Sequence, residues 1–481
     1  MIDIPLKKTK IVCTIGPASQ SQAVLQRMIT AGMNIARINF AHGDIEAHRL
    51  TIKNVRAAAA AVGQRVVLFG DLPGPKMRIG RLAEEPIELK RNALFVLQTE
   101  EIVGNQERVS LDFPLLPHVV QPGDSIFMND GYIELKVEAV GAAEVTCRVK
   151  VGGELRSHKG VNFPGIDLGI SAFTENDHEL LKFAAAEKLD AVSQSFVRKP
   201  EDITAVRQAA AALDYTPFII AKIERSDALE HLGAIIEAAD GIMVARGDLG
   251  VEIPIEEIPS VQKQIIKESN LASKPVITAT QMLESMTNSR RPTRAEATDV
   301  ANAILDGTDC VMLSGETAIG AYPVETVSIM ARLAQKTEST SPEFGIADLL
   351  KLKKRASTIY QDDLMSLIIY QTAKMLDPVV VFSPSKSGDT TRRLTRFRLT
   401  QWLVAPSQYE KTCQELQFSY GVYPIYVADA SILAEPYLRR QFARQWLQGH
   451  TEKSASRTVL LVEGAGTLKA EDTKRIDIIT L

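Results

Sequence analysis

None of the four cysteines in this 481-residue chain, Cys13, Cys147, Cys310 and Cys413, stands at C-x-x-C spacing from another. That excludes a disulfide framework or a zinc ribbon and fits reduced thiols in a reducing compartment. No apolar run approaches the ~18 residues needed to span a bilayer, and the opening Met-Ile-Asp-Ile-Pro-Leu-Lys-Lys has no signal-peptide core. A soluble, cytoplasmic protein without a membrane partner is expected. An excess of one charge is missing too: the formal net charge is -4, with acidic and basic residues interspersed. Nucleic acid is therefore not an expected partner, whereas small charged ligands stay open. The chain also lacks a G-x-x-x-x-G-K-[ST] loop and a complete G-x-G-x-x-G, which argues against P-loop and Rossmann nucleotide sites.

What is present is enough apolar residue, 45% of the chain, to build two to four cores. Eight short β-branched runs alternate with helix-like stretches: Lys10 to Ile15, Met33 to Phe40, Arg65 to Asp71, Ala191 to Phe196, Phe218 to Glu224, Gly241 to Arg246, Pro275 to Thr280 and Cys310 to Gly315. One helix should start near Pro292, where Thr293 and Glu296 have capping-box spacing and Gly307 suits a C-terminal cap. Strand then helix, repeated, predicts parallel β/α units. The gap after the third strand is too long for one helix. Its middle alternates like antiparallel sheet, with Val145, Cys147, Val149 and Val151 interleaved with polar residues and a turn at Asn129-Asp130-Gly131. Residues 73–170 are thus expected to form an inserted small β-barrel lid domain. Removing them leaves about 242 of the first 340 residues, close to the ~250 of a (β/α)8 TIM barrel. The expected division is a barrel from 1–72 and 171–344, the insert, and a C-terminal open-sheet α/β domain from 345–481. In that last domain strand-like runs occur at Pro378 to Phe382, Trp402 to Val404, Tyr423 to Val427 and Val459 to Val462.

In such a barrel the C-terminal strand ends converge on the active site. Polar residues stand there on most strands: Arg37 and Asn39, Asp71, Lys222 and Glu224, Arg246 and Asp248, Thr280, and Ser314 and Glu316. Any one of them could simply cap a helix or close a loop, but so many converging charges favour a shared site. Lys222 and Glu224 are two apart on one strand, so they leave the same face roughly 6 to 7 Å apart. The alternative for that pair is a plain ion pair. Asp248, on the neighbouring strand, adds a second oxygen ligand suited to magnesium, with Lys222 as the fixed positive charge. Gly247 and Asp248 open a turn, Arg-Gly-Asp-Leu-Gly, whose amides suit a carboxylate or phosphate. The constellation reads as a magnesium-dependent phosphotransferase.

At these residues the chain resembles the pyruvate kinase family. The resemblance spans Thr9 to Ser19 (TKIVCTIGPAS), Ile35 to Phe40 (IARINF), Lys159 to Asn162 (KGVN), Asp240 to Gly250, Thr278 to Met286 (TATQMLESM), Arg291 to Glu296 (RPTRAE) and Met312 to Thr317 (MLSGET). It implies phosphoryl transfer from phosphoenolpyruvate to ADP, giving pyruvate and ATP, and a homotetramer. It implies Glu224 and Asp248 as ligands of magnesium, with manganese as an alternative. Lys222 and Arg37 would neutralise the moving phosphoryl group, Thr280 would position the proton donor, and Glu316 would join the same catalytic network. The amides of Gly247 and Asp248, with Thr280, would hold the substrate. Asn39, His42, Arg78 and Lys159 would lie along the nucleotide phosphates, with Lys159 reaching the site only when the lid closes.

The chain departs from the family pattern in two places. Potassium-requiring members use an Asn, a Ser and an Asp and carry a Glu shortly afterwards. Here Asn39 and Asp71 remain, but Ala41 and Lys76 stand at the Ser and Glu positions. The expectation is that the Lys76 ammonium replaces potassium, because two cations at that spacing repel; the alternative is a solvent-facing hinge lysine. In the last domain Ser385, Lys386, Ser387, Gly388 and Thr390 resemble the family's effector phosphate loop, followed by Arg392, Arg393 and Arg396, with Asp389 placing a negative charge inside it. A solvated basic helix face is the other reading. The later Gly-rich loop is reduced to Gly464-Ala465-Gly466-Thr467, which argues against activation by a sugar bisphosphate. A mutase or dikinase barrel and a catalytically dead relative are the competing classes. No phosphohistidine domain suggests itself around the seven His residues, and the joint presence of Lys222, Glu224, Asp248 and Thr280 opposes the second.

Overall fold

The computed structural model describes residues 4–340, 361–448, 458–463 and 475–480; the segment Gly464-Ala465-Gly466-Thr467 lies outside them. Eight parallel strands close into a barrel in chain order: Lys10–Thr14, Ile35–Asn39, Val67–Leu72, Ala191–Gln194, Phe218–Ile223, Gly241–Ala245, Val276–Ala279 and Cys310–Leu313. Each corresponds to one of the eight runs expected from the sequence. Their residues are buried on both faces, which is why they read as continuous apolar runs rather than alternating ones. The period of two still sorts them. Ile11 and Cys13 pack outward under the helices, while Val12 joins Ile35, Val67, Phe69, Phe218, Ile220, Met243 and Met312 inside the barrel. Helix starts are chemically marked as well. Thr293 and Glu296 form the expected capping box on Arg294–Leu305, and Gly307 at φ 99° follows its end.

The insertion folds around its own apolar core, which includes Phe95, Leu97, Ile126, Leu135, Cys147 and Phe163. A six-stranded sheet and a two-stranded ribbon, Ile87–Leu89 with Gly153–Leu155, enclose it. Its turn Asn129-Asp130-Gly131 has three consecutive positive φ angles and sits against the barrel, where a Cβ on Gly131 would lie 3.1 Å from Val251 Cγ2.

The C-terminal sheet has five strands in the spatial order Val422–Tyr426, Trp402–Ser407, Val380–Phe382, Thr458–Glu463 and Arg475–Thr480. Only the last is antiparallel. This domain docks on the N-terminal end of the barrel. Arg398 meets Asp309 at 3.0 Å, Lys10 Nζ donates to the Val422 carbonyl at 2.6 Å, and Phe418 enters the barrel's inner core. No helix among the described residues is long and apolar enough to cross a membrane.

Candidate active site

Toward the C-terminal strand ends the inward positions change chemistry. Two residues beyond Val12 comes Thr14, beyond Ile35 come Arg37 and Asn39, beyond Phe69 comes Asp71, beyond Ala191 come Ser193 and Ser195, and beyond Ile220 comes Lys222. A ring of polar groups therefore tops an apolar barrel interior, as strand periodicity requires.

Asp71 is the hub of that ring. Its Oδ2 accepts from Arg37 Nε at 2.9 Å and also from Arg37 Nη2, while Oδ1 accepts from Ser193 Oγ and lies 3.4 Å from Lys222 Nζ. Arg37 is steadied from the other side by Thr14 Oγ1 at 2.8 Å. Lys222 Nζ donates to Ser195 Oγ and lies against Glu224 Oε1, both at 2.7 Å, and Ser195 in turn donates to the Leu72 carbonyl at 2.7 Å. The second oxygen of Glu224 accepts the Phe196 amide at 2.8 Å. Phe196 has φ 56°, an unusual conformation for an aromatic residue, and this bond helps to hold it.

The charges follow from this wiring. Burial alone would raise the Asp71 pKa, but Lys222 and Arg37 outweigh it and hold it at about 2. Burial would lower that of Lys222, yet Asp71 and Glu224 keep it above its ordinary value, so the ammonium is permanent at neutral pH. Glu224 is raised by burial, against Lys222, with Asp248 pushing further upward.

A carboxylate whose folded pKa is depressed stabilises the fold above its unfolded pKa, and that contribution disappears as pH falls through the folded value. For Asp71 the loss runs from about 4 down to about 2 and is on the order of 2 kcal/mol. Asp71→Asn should therefore unfold at lower urea than the parent at pH 7, with the gap narrowing steadily below pH 4. A gap that stays constant across that range would contradict the ion-paired state.

Asp248, half-buried in the first turn of Arg246–Glu252, has no hydrogen bond or ion pair among the described residues. Its charge nevertheless acts on both Glu224 and Lys222. Two mutually repelling carboxylates suit a hard divalent cation, which takes one or two carboxylates and leaves positions for substrate oxygens and water. No larger His, Cys, Asp and Glu cluster exists among the described residues, so the donor set favours magnesium over a caged transition metal.

Thr280 sits at φ 69°, a strained setting for a β-branched residue. Arg246 braces it by donating to the Thr280 carbonyl at 2.8 Å while paired with Asp299 at 2.7 Å. Thr280 Oγ1 accepts the Gly247 amide at 2.8 Å and donates to the Ala279 carbonyl at 2.7 Å. The structure thus joins Thr280 to Gly247. Glu316 is fully buried and accepts the amides of Leu283 at 3.1 Å and Ser314 at 2.7 Å. It ties the loops after the seventh and eighth strands together and makes no hydrogen bond or ion pair to Lys222.

Asn39 pairs in register with Asp71, and its Oδ1 accepts the Ala41 amide at 3.2 Å. His42 has its pKa lowered by burial and by the nearby Arg78, Lys76 and Arg37 charges, so it is neutral beside a cationic wall. Arg78 bridges to Gly160 and donates to the His158 carbonyl at 2.9 Å, which sets it next to half-buried Lys159. Lys76 is exposed near Gly160 and bonds neither Asn39 nor Asp71.

In the C-terminal loop several groups are bonded internally. Ser385 Oγ accepts the Gly388 amide at 2.7 Å, Ser387 Oγ donates to Asp389 at 2.8 Å, and Arg392 pairs with Glu415 at 3.0 Å. Lys386 offers its carbonyl to Thr412 at 2.7 Å. The contacts of Thr14, Ser193, Ser195 and Phe196 were not foreseen from the sequence. The available signal was the alternation Ala191, Ser193, Ser195 along the fourth strand.

Residues 6–327 match the family model for the pyruvate kinase barrel domain and residues 363–479 that for the pyruvate kinase alpha/beta domain. A pyruvate kinase of Thermococcus litoralis is 45% identical over 476 residues, covering 98% of this chain and 95% of its own. One from Geobacillus stearothermophilus is 43% identical over 420 residues, 87% of this chain and 71% of that one. The crystal structure of a pyruvate kinase from Cryptosporidium parvum superposes with a TM-score of 0.89 at 33% identity, covering 99% of this chain and 96% of that one.

Proposed function

Since the chain belongs to the pyruvate kinase family, we propose that it moves the phosphoryl group of phosphoenolpyruvate to ADP, using the ring of groups around Asp71 and Lys222. The observation that carries this reading is the Lys222 ammonium held by Ser195, Glu224 and Asp71, with Arg37 on the far side of the same Asp71. It is a preorganised cationic seat that need not reorganise as negative charge spreads during transfer.

In this reading Arg37 and Lys222 neutralise the travelling phosphoryl oxygens and the enolate oxygen. The first-turn amides of Gly247 and Asp248 take the substrate carboxylate, and Thr280 Oγ1, now bonded to the Gly247 amide, orients the proton delivered to the enolate carbon. Glu224 and Asp248 would hold one divalent cation, which when bound supplies further charge neutralisation at the phosphate. Asn39, His42, Arg78 and Lys159 form the nucleotide side, and residues 73–170 close over it.

Potassium is proposed to be dispensable. Ala41 lacks the hydroxyl ligand, Asp71 is already engaged by Arg37, Ser193 and Lys222, and the Lys76 ammonium would reach the same region as the lid closes. The test is pyruvate formation from phosphoenolpyruvate and ADP with magnesium, in tetramethylammonium or potassium buffer. Comparable rates are expected in both, with Lys76→Glu acquiring a potassium requirement. No pyruvate in either buffer would sink the phosphotransfer reading, and near-zero activity restored specifically by potassium would sink the Lys76 assignment alone.

A further inference from the structure

On the outside of the barrel, four arginines from three separate elements face one cleft of about 820 Å³. Arg27 comes from the helix Gln22–Ala31, Arg290 and Arg291 from the loop before Arg294–Leu305, and Arg332 from the helix Pro323–Glu338. Glu325 is the one carboxylate among the lining residues, so the cleft carries a net charge near +3.

What sets these four arginines apart is that they meet at one cleft with no carboxylate among the described residues engaging any of them. Several arginines elsewhere in the chain do capture carboxylates: Arg49 with Glu187, Arg148 with Glu138 and Arg475 with Asp477. Arg27, Arg290, Arg291 and Arg332 make no ion pair and no side-chain hydrogen bond among the described residues. Gathering four uncompensated guanidinium groups at one place costs electrostatic energy unless an anion joins them. Arg290 is partly preorganised, because its guanidinium carbon stands 5.2 Å from the centre of the Tyr322 ring. The cleft's volume lies within the range of small-molecule sites.

We propose that this cleft is a second ligand site, separate from the ring at the strand ends, and that it binds a small molecule with at least two oxyanion groups. Guanidinium forks match phosphate and carboxylate oxygens in pairs, and a net charge near +3 exceeds the charge of about -2 that a single phosphate brings. The proposal does not depend on the phosphotransfer reading, because none of these arginines belongs to that site.

The probes are tripolyphosphate, citrate and inorganic phosphate, titrated calorimetrically into the full-length protein at fixed ionic strength without divalent metal. The double variant Arg27→Ala/Arg332→Ala removes two forks from exposed positions. Arg81→Ala/Arg91→Ala, at exposed lid positions outside any such cleft, controls for diffuse attraction. Tripolyphosphate or citrate should bind the parent more tightly than phosphate. The cleft variant should weaken that binding by roughly tenfold or more, the loss expected for two charge-assisted contacts, and the lid variant should leave it unchanged. Whichever of tripolyphosphate and citrate binds more tightly identifies the oxyanion as phosphate or carboxylate. Superimposable isotherms for parent and cleft variant would overturn the proposal, as would an equal loss in the lid variant. Unchanged unfolding midpoints and unchanged pyruvate formation in both variants guard against a folding defect.

Discussion

Replacing Lys222 with methionine is expected to lower kcat by about 10³-fold while the protein remains folded and still binds a divalent metal. The magnitude follows from what is removed. One preorganised donor to developing negative charge is worth ~10² to 10³ in rate, and here it is a full charge in a nearly dry site. The side chain is 12% exposed, and Arg37, held in its own place by Asp71 and Thr14, does not move into the position the ammonium leaves. The fold should survive because its partners have other partners. Asp71 keeps Arg37 and Ser193, and Glu224 keeps the Phe196 amide. Glu224 is already raised by burial, so without metal it can take up a proton rather than stay as an unpaired buried charge, and a bound divalent cation would displace that proton. A group used mainly in the transition state should show its loss in kcat, with the phosphoenolpyruvate KM changing far less. A kcat within about tenfold of the parent would remove Lys222 from its proposed role.

Much of the architecture was legible because barrel strands obey two simple constraints at once. They are apolar on both faces, which exposes them as runs, and their inner face turns polar at one end, which exposes the site. The charged members of the ring, Arg37, Asp71, Lys222, Glu224 and Asp248, could be read from that second constraint. Ser193 and Ser195 could not be weighted, since hydroxyl residues are ordinary in strands and only the Asp71 and Lys222 contacts give these two a purpose. The two amides that Glu316 accepts, from Leu283 and Ser314, are not legible either; strand periodicity says nothing about the path of a loop. The antiparallel strand Arg475–Thr480 was likewise hidden, because its exposed Ile478 and partly buried Ile476 give a weak pattern. Lys76 shows the same limit, because its exposed position near Gly160 has no signature in the strand pattern.

The second large effect is expected far from the chemistry. Phe418 belongs by sequence to the C-terminal domain, yet it is 1% exposed within the inner core of the barrel. Its ring stacks on Phe218 with centroids 5.0 Å apart and planes 7° from parallel, and meets Phe69 edge-on at 6.3 Å. A barrel interior is a packed core, and the open end of this one is closed by a residue from another domain. Phe418→Ala should therefore cost about 3 to 5 kcal/mol, the range for emptying a buried aromatic site that cannot collapse. Phe418→Leu should recover most of that by restoring volume. Urea unfolding of the two variants checks the order, with Arg398→Ala as the comparison because Arg398 anchors the same interface through Asp309 at 3.0 Å. If Phe418→Ala costs less than Arg398→Ala, polar contacts rather than the aromatic plug hold the domains together. The polar ring proposed as the catalytic site lies at the opposite end of the strands, so activity measured well below the unfolding transition should change little. Loss of stability without loss of kcat would show that the floor of the barrel and its active site are energetically separable.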